Sequence, residues 1–138
     1  MTNRMRVFTV GILIGCLIGC GSATTIEGGS PGFLWFGTEM LNDICVVAHH
    51  SDGATFKTMG FGTTDSAGHF RLLTPDGQSA LHLEPGDYAF TLESVGPPVQ
   101  FPEEFLRPET TPLKVTWTAE MSSLDLVAPE ELIAAIAE

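Results

Sequence analysis

Three groups of side chains in this 138-residue chain have types and spacings that suit chemistry. Cys20 closes the run Leu17-Ile18-Gly19-Cys20, behind an apolar stretch, where a thiol can be acylated. His49-His50 with Asp52 offers two imidazoles and a carboxylate close together, the donor types of a zinc or copper site, and His69 and His82 could add to them. Glu103-Glu104 and Glu130-Glu131 are paired carboxylates. Each has a plainer reading. Neighbouring histidines on a strand point to opposite faces, so they cannot share one ion unless a bulge intervenes. Exposed or core-edge histidines are therefore expected. A glycosidase-type carboxylate pair needs a deep cleft, and a small domain favours solvated surface acids instead. H-E-x-x-H is not present.

The elements around Cys20 give it a specific meaning. Arg4 and Arg6 form a positive start, residues 7–18 are apolar apart from Thr9, and Gly19 precedes the cysteine. That is the layout of a secretory leader. The run is too short for a spanning helix, which needs about 20 apolar residues. With Cys20 in place it looks like a lipoprotein signal, cut before Cys20, with the cysteine carrying lipid. Two or three acyl chains exceed the one-chain limit of marginal anchoring. Residues 1–19 would be removed, leaving 119 residues, one domain's worth.

Charge follows from that cut. The remaining basic side chains are Lys57, Arg71, Arg107 and Lys114, against 17 acids, a side-chain charge of −13. Such a surface repels nucleic acid and anionic head groups. No nucleic-acid partner is expected, and membrane attachment falls to the lipid alone. Cys16 leaves with the leader, so Cys45 has no partner for a disulfide. It lies in the apolar run Ile44-Cys45-Val46-Val47-Ala48 and reads as a buried small side chain.

Residues 21–32, rich in Gly, Ser and Thr, read as a flexible tether behind the lipidated Cys20. Short apolar runs between turn residues then follow: residues 33–36, 44–50, part of 55–64, 69–73, 88–94, 113–118 and 122–127. Tyr88, Phe90 and Leu92 alternate with Ala89, Thr91 and Glu93 most clearly. Seven closely spaced strands predict an all-β, seven-stranded Greek-key β-sandwich over residues 33–127. Residues 128–138 predict a short C-terminal helix, started by Pro129 with Glu130-Glu131 and carrying Leu132, Ile133 and Ile136 on one face. Both tryptophans, Trp35 and Trp117, are expected in the core. Residues 95–112, with five prolines, form a long loop in which Phe101 and Phe105 pack across a sheet edge.

Two stretches taken in order resemble a family. Thr64-Asp65-Ser66-Ala67-Gly68-His69-Phe70, followed by Leu83-Glu84-Pro85-Gly86-Asp87-Tyr88, is similar to the carboxypeptidase regulatory-like domain. The stretch Pro108-Glu109-Thr110-Thr111-Pro112-Leu113-Lys114-Val115 and the terminal Leu124-Asp125-Leu126 resemble small lipoproteins of planctomycete-like bacteria. The resemblance implies a transthyretin-like (prealbumin-like) sandwich. Its residues have structural roles: Asp65 accepts backbone N–H groups in a turn, Gly68 takes positive φ, and Phe70 enters the core. Pro85-Gly86 suits a type II turn, and Tyr88 suits a tyrosine corner. Enzymes of the same fold need a terminal Tyr-Arg-Gly-Ser or two iron-binding tyrosines. This chain ends Ala-Ile-Ala-Glu, and Tyr88 is its one tyrosine.

The expectation is a non-catalytic, membrane-anchored lipoprotein of the bacterial cell envelope, outer membrane favoured over inner. Its sandwich would serve structural or protein-binding roles, and no cofactor is expected. The partners are the membrane, through Cys20, and an envelope protein or a glycan. A carbohydrate-binding module is the alternative, and a metal protein or hydrolase ranks below it.

Overall fold

β-Branched and aromatic residues between turn-formers produce seven strands. They are β1 (Pro31–Phe36), β2 (Ile44–Ser51), β3 (Phe56–Thr63), β4 (His69–Arg71), β5 (Gly86–Ser94), β6 (Lys114–Trp117) and β7 (Leu124–Ala128). The structure, a computed structural model, describes residues 28–95 and 100–129. The leader, Cys20 and the expected helix past Pro129 lie outside the described residues.

The strands form two sheets, β4-β1-β7 and β3-β2-β5-β6. All pairings are antiparallel except β1 with β7, which runs parallel in the register Phe33↔Asp125, Trp35↔Val127 and Phe36↔Ala128. Period-two alternation then decides which side chains meet. Leu34, Phe36, Leu124 and Leu126 of the small sheet face Ile44, Val46, Ala48, Phe90 and Leu92 of the large one, in a single core cluster. Each of these Leu, Ile, Val and Phe side chains contributes about 1.5–3 kcal/mol by leaving water. The fold is thus all-β with two sheets around one core.

Buried polar groups are paired. Thr64 Oγ1 accepts from Ile44 N at 3.0 Å and donates to Leu41 O at 2.7 Å. Thr111 Oγ1 donates to Phe90 O at 2.7 Å and accepts from Leu113 N at 3.2 Å. Among the described residues no buried side-chain nitrogen or oxygen lacks a partner, as a low-dielectric core demands.

Three expectations need correction. The folded chain begins before residue 33. Ser30 is buried, its N–H donates to Leu81 O (2.8 Å), its carbonyl accepts from Leu72 N (3.0 Å), and its hydroxyl accepts from Leu83 N (2.9 Å). Residues 28–32 therefore belong to the domain and not to the tether, because Ser30 supplies three bonds to a segment that would otherwise hold bare backbone. Trp35 is not in the core. It is half-buried on the outer face of the small sheet, because Leu34 and Phe36 take the inner positions of β1. Gly86 does not make a type II turn, which needs positive φ at its glycine. It has no positive φ and is already the first residue of β5. A Cβ there would lie 3.0 Å from His50 Nε2, so any larger residue would have to push that ring aside.

Candidate binding surfaces

The turn before β4 shows how local sequence places a functional neighbourhood. Asp65 Oδ1 accepts from Ala67 N (2.9 Å) and His69 N (3.0 Å), closing a tight hairpin. Gly68 has φ +69°, and a Cβ on it would lie 2.9 Å from Leu34 O. Phe70 is then aimed into the core and is 1% exposed. The same turn turns His69 outward, where its ring sits 5.1 Å from that of Phe33 and its Nδ1 lies 3.9 Å from Asp65 Oδ2.

Phe33 belongs to an outward apolar strip. Residues 33 and 35 of β1 share the outer face, and across the ladder stand Asp125 and Val127 of β7. Phe33 is 37% and Val127 59% exposed. With Gly37 and Ser123 they line a shallow groove of about 440 Å³. Four consecutive apolar residues, Phe33-Leu34-Trp35-Phe36, must put two on each face of a strand. That pattern is the sequence signal for this strip, and it places Trp35 outside the core. Trp117, at the end of β6, is 7% exposed in the core.

A second depression lies at one end of the large sheet, under residues 81–85. It also measures about 440 Å³ and is lined by His50, Lys57, Met59, His82, Glu84 and Tyr88, among others. Tyr88 organises it: the ring is buried and the hydroxyl donates to Glu84 O at 2.7 Å, the bond of a tyrosine corner. The His50 ring meets the Tyr88 ring edge-on at 5.2 Å. Nearby, Asp52 accepts from Ala54 N, Thr55 N and the Thr55 hydroxyl, which holds its carboxyl down to about 2. Pro85 lies exposed on the rim.

The histidines are dispersed. His49 turns to the opposite side of the large sheet from His50. There Nε2 bonds Thr91 Oγ1 at 2.9 Å and Nδ1 bonds Thr58 Oγ1 at 3.1 Å, a Thr–His–Thr bridge across β5, β2 and β3. Thr58 reaches it because Met59 is an extra residue in β3, where the register shifts between Ala48 and His49. Burial lowers the pKa of His49, while Glu109 and Glu93 pull it the other way. Among the described residues no three histidines, cysteines or carboxylates are placed to hold a metal ion.

Cys45 is 7% exposed, and burial, then Glu93, raises its thiol pKa. That leaves it the inert neutral form. In the long loop, Phe101 and Phe105 are buried, and Phe101 stacks on Phe36 at 6.2 Å. Glu103 pairs with Arg107 at 3.1 Å on the exposed side of a 3-10 turn (Glu103–Leu106), and Glu104 is solvated there. Glu130 and Glu131 lie outside the described residues. No helix among the described residues is long and apolar enough to cross a membrane. Comparison with family models, curated proteins and solved structures found no match.

Proposed function

We propose that this chain is a non-catalytic lipoprotein of the bacterial envelope, anchored through Cys20, whose two-sheet domain binds a partner protein through the outer face of β1 and β7. The observation that carries it is the Phe33–Trp35–Val127 strip. The outer face of β1 and β7 brings two rings and a valine together, as contact surfaces do. Tryptophan is a frequent anchor of such contacts. The motifs around Asp65 and Tyr88 support a Greek-key sandwich of transthyretin type, and the leader supports lipidation and an outer-membrane address. A role without catalysis fits side chains whose bonds serve turns and ladders.

Two variants test the reading separately. Cys20→Ala should leave an uncut precursor or release the protein from membranes on fractionation, and an unchanged, processed, membrane-bound variant overturns the anchor. Trp35→Ala should keep the fold, read by circular dichroism, and lose the partner recovered from native envelopes by cross-linking. Equal recovery by both proteins overturns the binding face.

Carbohydrate binding is the second reading, favoured by Trp35 and Phe33 standing beside the polar Ser123 and Asp125. Hits on a glycan array that vanish in Trp35→Ala would select it over a protein partner.

A further inference from the structure

The depression under residues 81–85 is built on the inner face of the large sheet. Ala48 and Phe90 are paired in the core, and two residues away along each strand the same face presents His50 and Tyr88, again a pair. Lys57 of β3 is paired with His50 on its other side. One row, Lys57–His50–Tyr88, thus crosses three strands, with neighbouring Cβ atoms about 5 Å apart. We propose that this depression binds a small organic acid of single negative charge, its carboxylate held by Lys57 and His50 and its apolar body laid against Met59, Leu81 and the Tyr88 ring.

Charge selects the ligand. Lys57 is exposed and has no ion-pair partner among the described residues. His50 stands directly across from it, and His82 lines the same depression. These three donors meet on a chain that has 6 lysines and arginines against 17 acids. An ammonium donates to a carboxylate, and an imidazole carries an N–H to donate in either charge state. Hydrogen bonds to an ionised group are the strong ones. Two acids lie close by. Asp52 is occupied in its own turn, accepting from Ala54 and Thr55. Glu84 is exposed on the rim, where it repels a second negative charge and limits the ligand to one.

The wall of the depression is set before any ligand arrives. Ser30 N–H donates to Leu81 O at 2.8 Å, and Leu81 N–H donates to Leu72 O at 2.9 Å. Leu83 N–H donates to Ser30 Oγ at 2.9 Å, and the Tyr88 hydroxyl donates to Glu84 O at 2.7 Å. Binding therefore need not order residues 81–84, which removes one of the main costs of association. Met59, the extra residue of the β3 bulge, adds an adaptable apolar side chain to the lining. An apolar lining with a few convergent polar groups, in about 440 Å³, is the make-up of a small-molecule site.

This site shares no lining residue with the outer face of β1 and β7, and its test needs no partner protein. Calorimetric titration of the full chain uses benzoate as the probe and benzamide as its uncharged counterpart. Benzoate should bind saturably with a Kd of about 1 mM, in line with its about nine non-hydrogen atoms. Benzamide should bind about tenfold more weakly or worse, because it loses the charge-assisted bonds. Lys57→Gln, at an exposed position on an edge strand, should weaken benzoate about tenfold for the same reason. His50→Gln, checked for folding by circular dichroism, should act in the same direction. Lys114→Gln, at an exposed lysine on the opposite edge of the same sheet, should leave the binding unchanged. No saturable heat with benzoate up to about 20 mM overturns the proposal. So does benzamide that binds as tightly as benzoate, or benzoate binding indifferent to Lys57→Gln. Phthalate, with two carboxylates, binding more tightly than benzoate would overturn the limit to one charge.

Discussion

A proton added to His49 enters a site between Thr58 and Thr91, and burial disfavours the charge it brings. The folded-state pKa is therefore below the ordinary histidine value of about 6.5. The unfolded chain takes up the proton first as pH falls. Stability from a neutral His49 is fully present above about pH 6.5 and is lost as pH drops through the lower folded value. Urea midpoints measured from pH 7.5 down to 5 should decline, and His49→Gln should flatten that slope; an equal slope in both proteins would show that His49 does not set it. Tyr88→Phe removes the bond to Glu84 O and should cost about 1 kcal/mol in urea unfolding. The roles of these residues were unequally legible. Strand alternation in the sequence already separates His49 from His50. The bond from His49 to Thr58 was not legible, because it depends on the extra residue Met59, and nothing local to β2 announces a bulge in β3.

Turns and loops divide in the same way. The hairpin at Asp65 could be read from its residues because its bonds are local. Gly68→Ala there meets both positive φ and Leu34 O, and should destabilise by about 1–2 kcal/mol or more, against little change for the solvent-exposed Ala67→Ser. The segment at Pro85-Gly86 was misread because its constraint is not local: the space a Cβ would take is held by His50, from a strand far away in sequence. Residues 100–112 show how long-range burial acts on a loop. Phe105 is fully buried, packed into the core from a 3-10 turn, and Thr111 bonds Phe90 O beneath it. Phe105→Ala should cost about 3–5 kcal/mol in denaturant midpoint measurements. It should also speed hydrogen exchange at Leu113 N, which Thr111 holds. A loss under 1 kcal/mol would show that the loop is not part of the cooperative unit.

Charge and attachment act on the molecule as a whole. If residues 1–19 are removed as proposed, the side chains carry −13, so a chain beginning at residue 21 should not bind anionic vesicles even at low salt, where attraction or repulsion is strongest. Sedimentation with such vesicles would expose any patch that overrides the net charge. Strand number and the all-β class were legible in the sequence, since seven short runs are each set by local alternation. Which strands share a sheet was not, because the parallel pairing of β1 with β7 joins segments some 90 residues apart.

That pairing has a mechanical consequence. An anchor at Cys20, as proposed, would pull on the chain ahead of β1, while anything holding residues past Pro129 would pull on β7 from its far end. Force between these points runs along both strands in opposite directions and loads the whole β1–β7 ladder in shear, so its bonds must fail together and not one by one. Ser30, with three hydrogen bonds to residues 72–83, sits at the point where the load enters. Single-molecule stretching between residue 20 and residue 138 should therefore need more force than stretching between residue 20 and Ser79, which bypasses β7. Under the proposed anchor, the parallel β1–β7 ladder would lie in line with tension between the membrane and a bound partner.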